Sequence, residues 1–180
     1  MTPREKLIAI ALAEVGTREE GGNNNGLRIR EYQAASWLKP GSWPWCAAFC
    51  CWLLREWLKD PEVVREIKTT VGGPDFNVES WRCKDASAFG WEKWARAKGL
   101  RVLAFDEEPE PGDFVIYDFN GPKVSGGGHI GVVVENPPGV FFNIVEGNTN
   151  GKGERDSISG DGVWLKTRNK NTVLCFIRII

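Results

Sequence analysis

From Trp45 to Leu54 the chain runs ten residues without a charge: Trp-Cys-Ala-Ala-Phe-Cys-Cys-Trp-Leu-Leu. A helix that is apolar all round has no face for water and must be buried. This segment, predicted as a helix over 45–58, therefore constrains the fold most, because the rest of the chain has to wrap it. Charge returns only at Arg55 and Glu56. Pro44 suits a helix start, where a missing N–H costs nothing.

The two halves of the sequence differ in period. In the first, apolar residues recur at helical spacing: Leu7, Ile8, Ala11, Leu12 and Val15 in a helix over 3–15, then a less regular one over 27–38, a short one over 61–68, and one over 85–98. Glycine-rich Glu20–Gly26 and Val71–Asn77 read as loops. In the second half, Phe114–Tyr117, Ile130–Glu135, Val140–Glu146, Val163–Lys166 and Val173–Ile179 are strand-like runs separated by Gly, Pro and Asn. The acidic stretch Asp106–Glu110 reads as a solvated loop. Helices followed by strands predict an α+β fold, N-terminal helices packed on an antiparallel sheet. With 180 residues and neither a repeat nor a linker, a single domain spanning residues 1–180 is expected.

Composition narrows the function. A net charge of −1 gives no electrostatic grip on nucleic acid or on an anionic membrane. No run of about 20 apolar residues is present to span a bilayer. The N-terminus does not read as a signal peptide, so synthesis in the cytoplasm is expected. Five cysteines, an odd number, argue against a disulfide framework. The absence of Cys-x-x-Cys spacing argues against zinc. No cofactor and no metal are expected.

The chemistry is concentrated in a few residues. Cys46 stands at the predicted start of the buried helix, where unpaired N–H groups and the helix dipole favour a thiolate. The chain contains one histidine, His129, after three glycines at a strand start. There Gly128 and its neighbours allow close approach of backbone and substrate. If Asn136–Gly139 is a tight turn that pairs Glu135 with Val140, His129 falls opposite Glu146. The two would then share a sheet face, as a carboxylate that orients an imidazole requires. Asn148 falls on the same face if the strand continues, but it is equally natural as a turn residue. Trp43 and Trp45 are candidates to floor a groove, with a core role as the alternative for Trp45.

Trp45-Cys46-Ala47-Ala48-Phe49, Pro111-Gly112-Asp113-Phe114-Val115, Gly128-His129-Ile130-Gly131-Val132-Val133 and Val145-Glu146-Gly147-Asn148, in this order, resemble the CHAP family. These are cysteine- and histidine-dependent amidohydrolases/peptidases of the papain-like superfamily of cell-wall hydrolases. The resemblance runs from Glu5 through Ile179. It implies a papain-like fold and cleavage of amide bonds in peptidoglycan, by an endopeptidase or an N-acetylmuramoyl-L-alanine amidase, as in phage endolysins or antibacterial effectors. It also implies catalytic roles for Cys46, His129, Glu146 and Asn148. The expected partner is the peptidoglycan stem peptide, met by a monomer that a holin or a secretion system delivers to the wall; an immunity protein is a further expected partner. Some relatives carry clustered aspartates for calcium just before the cysteine, whereas Ser36–Trp45 holds no acidic residue. Two alternatives remain: a papain-like hydrolase or deamidase acting on a protein, and a silent module that binds wall peptide. An intact Cys–His–Glu set argues against the second.

Overall fold

Residues 1–73, 75–119, 128–152 and 161–180 are described by a computed structural model of the chain. The helices come first: α1 (Pro3–Ala13), α2 (Leu27–Gln33), α3 (Cys46–Trp57), α4 (Pro61–Ile67), α5 (Val78–Trp81) and α6 (Ala88–Ala97). The strands follow: β1 (Arg101–Ala104), β2 (Phe114–Asp118), β3 (Gly128–Glu135), β4 (Phe141–Thr149), β5 (Gly162–Asn169) and β6 (Val173–Arg178). They form one antiparallel sheet in the order β1-β6-β2-β3-β4-β5. This is the expected α+β architecture.

Local chemistry explains the boundaries. Thr2 and Glu5 make a reciprocal capping box at the start of α1, which satisfies two otherwise orphaned N–H groups. α2 is shorter than expected. After Gln33 the chain is drawn away as Trp37 N–H donates to Lys84 O at 2.9 Å. The fully buried Gln33 amide folds the next loop back, donating to Gly41 O at 2.7 Å and Trp43 O at 3.0 Å. α3 begins at Cys46 with Trp45 as its cap, so Pro44 lies one residue before the cap rather than in the first turn. Residues 68–72 form a π-helical turn that takes in the end of the helix expected over 61–68 and the start of the loop expected from Val71. β1 and α5 escape the period analysis because they are four residues long, each with one buried side chain.

α3 is the hub, as its composition demands. Ala47 through Leu54 and Trp57 are all buried, and the helix packs on α1, α2, α6, β3 and β4. Tyr32 stacks on Trp45 (5.6 Å) and meets Phe49 and Trp52 edge-on. Burial of each such aromatic contributes about 1.5–3 kcal/mol. The sheet is apolar on both faces. Phe114, Ile116, Ile130, Val132, Val145 and Ile177 join the helices, whereas Val115, Tyr117, Val133, Phe142, Ile144 and Phe176 form a second cluster. A buried ion cluster ties the first helix to the last strand. Asp113, 0% exposed, accepts from Arg4 Nη1 at 3.1 Å and from Arg178 Nη2 at 2.8 Å. The acidic stretch before it is not simply solvated: Glu110 pairs with Arg178 at 2.7 Å and Glu108 with Lys170 at 2.8 Å.

The β3–β4 register differs from the expected one by two residues. Gly131, Val132 and Val133 pair with Glu146, Val145 and Ile144, with an irregularity before Glu135–Asn143. The turn is wider than four residues because Val140 O accepts from Lys170 N–H at 2.8 Å and so leaves Glu135. A slip of two preserves the side-chain face; a slip of one would have reversed it.

Candidate active site

The site lies where α3 and β3 begin. Cys46 is the first residue of α3, where N–H groups have no acceptor within the helix. Gly147 on β4 brings the sheet to this helix end: a Cβ there would come within 2.7 Å of Trp45 Cζ3 and 2.9 Å of Phe49 Cβ. His129, the second residue of β3, pairs with Tyr117 across the strand gap, and their rings stack at 6.1 Å. Cys46 is 7% exposed, and His129 and Glu146 are fully buried.

Glu146 reaches His129 on the diagonal rather than directly. Its cross-strand partner is Gly131, where a Cβ would stand 2.9 Å from Glu146 Cγ. The missing side chain leaves the carboxylate room to lean along the strand, within diagonal reach of position 129. Glu146 Oε2 lies 3.1 Å from His129 Nε2. Neither ring nitrogen has a well-aligned hydrogen bond among the described residues, so this contact acts chiefly through charge. Glu146 is also gripped by Arg168 of β5, which the sequence reading passed over. Its Nε lies 3.1 Å from Oε1 and its Nη2 2.6 Å from Oε2.

The electrostatics follow. Burial alone would lower the His129 pKa, but the charge of Glu146, followed by that of Cys46, more than reverses this and raises it to about 9. Burial would raise the Glu146 pKa; His129 and then Arg168 bring it down to about 2. Burial, then the charge of Glu146, pushes the Tyr117 phenol well up. Cys50 and Cys51, deeper in α3, are pushed up by burial and stay protonated. The arrangement thus sets a buried imidazole, its cation favoured, beside a carboxylate and close to Cys46, the array that thiol-dependent acyl transfer uses.

The other candidates fare differently. Asn148 is buried within β4, at the irregularity between Glu146 and Thr149, with φ +57°, and its Oδ1 has no hydrogen-bond partner among the described residues; the strand continues through it rather than turning there. Trp45 is not a groove floor. It is 0% exposed, stacked on Tyr32, and donates from Nε1 to Glu19 Oε1 at 2.9 Å, because the start of α3 is packed inward. Trp43 is half-buried, its Nε1 donating to Lys39 O at 2.9 Å. The space left by Gly128 is not open to substrate: Phe89 and Ala88 fill it, a Cβ there coming within 3.0 Å of Phe89 Cζ. Phe119, also unanticipated, is 37% exposed and tilts over the imidazole at 6.2 Å. Among the described residues no group of three or more His, Cys, Asp or Glu side chains is placed to hold a metal ion.

No curated protein matches the chain. The CHAP domain model matches residues 38–148, more than half of the sequence and the stretch that carries Cys46, His129 and Glu146. The chain therefore belongs to the CHAP family, whose cysteine- and histidine-dependent members are amidohydrolases and peptidases.

Proposed function

We propose that the protein hydrolyses amide bonds of peptidoglycan with Cys46 as nucleophile. The observation that carries this reading is the fully buried His129, its Nε2 3.1 Å from the Glu146 carboxylate and its cation favoured by Glu146 and then Cys46. With Nε2 turned to Glu146, Nδ1 is the nitrogen that takes the thiol proton. The Cys46 sulfur attacks the amide carbonyl carbon, and the tetrahedral oxyanion is met by the Cys46 N–H, which the helix leaves unused. As the C–N bond breaks, the imidazolium returns the proton to the departing amine. Water, deprotonated by His129, then attacks the thioester and frees the carboxylate and the thiol. Glu146 orients the ring and favours its cation throughout.

The substrate is the stem peptide or its link to the sugar, met in the wall after delivery by lysis or by secretion. The test is digestion of purified peptidoglycan. New free amino groups without new reducing sugar ends support the reading, provided that a folded Cys46→Ala variant is inert. New reducing ends would indicate glycoside cleavage. Deamidation of a protein, with no release from any wall, would move the assignment to another substrate class.

A further inference from the structure

We infer that Arg168 is a positioning residue for this reaction: its guanidinium fixes the carboxylate plane of Glu146 so that Oε2 faces His129. The inference rests on the catalytic reading above and extends it to a residue outside the matched stretch 38–148.

Strand pairing alone does not aim Glu146 at the imidazole. Its direct partner is Gly131, and its side chain has to lean diagonally. Two bonds from Arg168, one to each oxygen, remove the remaining freedom, because a guanidinium fork sets the plane of a carboxylate as a single point charge cannot. The oxygen held at 2.6 Å by Nη2 is the one 3.1 Å from His129 Nε2. Arg168 is itself confined. Its side chain is 15% exposed, and its guanidinium lies over the rings of Phe119 and Tyr117, at 5.5 and 5.9 Å. A solvated surface arginine would not show this fork, this burial and these two rings together. The titratable and charged groups around Glu146 are Cys50 from α3, Tyr117 from β2, His129 from β3, and Lys166 and Arg168 from β5. Among the described residues only His129 and Arg168 stand at ion-pair distance from it.

Two roles for Arg168 predict opposite signs. If it acted by charge alone, its removal would make His129 easier to protonate. If it positions Glu146, its loss lets the carboxylate turn away and makes His129 harder to protonate. Because the chain has one histidine, the imidazole Cε1–H resonance in a proton NMR titration belongs to His129 without assignment. The titration is run in a Cys46→Ala background, with Arg168, Arg168→Lys and Arg168→Leu, and folding is verified by thermal melts. The expected result is a rise of about tenfold or more in the imidazolium acid constant for Arg168→Leu, partly restored in Arg168→Lys. With Cys46 present, kcat should fall about tenfold or more with KM little changed. An acid constant that is unchanged or lowered overturns the inference. If Arg168→Leu fails to fold, Arg168→Gln is read by the same criterion. The titration needs no substrate, so it decides the role of Arg168 even if peptidoglycan proves not to be cleaved.

Discussion

Replacing Glu146 by Gln should remove a pH dependence of stability, not merely stability. The carboxylate is fully buried between His129 and Arg168. His129, raised from 6.5 to about 9 in the folded chain, is bound more tightly to its proton when folded than when unfolded. Its contribution is therefore complete below about pH 6.5 and is lost as pH rises through 9. Glu146, lowered from 4.5 to about 2, contributes above about pH 4.5 and loses that contribution as pH falls through 2. The pair is thus fully effective between about pH 4.5 and 6.5. At about 1.4 kcal/mol per unit, the rise at His129 corresponds to about 3 kcal/mol, an upper bound for Glu146 because Cys46 supplies part of it. Urea unfolding of wild type and Glu146→Gln at pH 5.5, 7.5 and 9.5 measures the difference directly. That difference should be greatest at pH 5.5 and shrink by up to about 3 kcal/mol by pH 9.5. A remainder should persist from the unpartnered charge of Arg168. A difference that stays constant, or widens at alkaline pH, would refute the assignment of a charged His129–Glu146 pair.

Gly131→Ala should push Glu146 off its diagonal, costing about 1–3 kcal/mol and lowering the His129 pKa; an unshifted histidine titration would show that the lean does not depend on Gly131. Asp113→Ala leaves Arg4 and Arg178 without their buried partner and should cost about 3–5 kcal/mol, read as a lowered urea midpoint with the His129 titration unmoved. Asn148→Gly, which keeps the left-handed backbone but discards the amide, should lose far less kcat than Glu146→Ala. Equal losses on folded variants would give Asn148 a direct part in the chemistry.

The central helix was legible because Trp45–Leu54 admits one explanation, and its first residue located the thiol to within a single position. The shared face of His129 and Glu146 was legible as well, since strand alternation survives an error of two in register. The pairing itself was not, because the turn is widened by Lys170 N–H reaching Val140 O, a long-range bond with no local signature. Arg168 was missed for a related reason. It lies 22 residues from Glu146 in sequence, and two residues beyond the run Val163–Lys166 that reads as a strand, whereas β5 continues to Asn169. Trp45 reads both ways in sequence, as a groove floor beside the thiol or as core, and the helix start turns it into the core. β1 carries too little apolar pattern to be seen without β6 beside it.

The place of β6 bears on how the protein is made. It is the last of the six strands to leave the ribosome, yet it is central in the sheet, between β1 and β2. Until it emerges, β1 has no strand neighbour, Asp113 lacks one of its two arginines, and the second apolar cluster lacks Val173 and Phe176. Contacts of this range form late, and a nascent chain short of β6 remains an open sheet. The sheet that carries His129 is then completed only once β6 has joined it, so a nascent chain that has not yet released β6 should lack the raised His129 pKa.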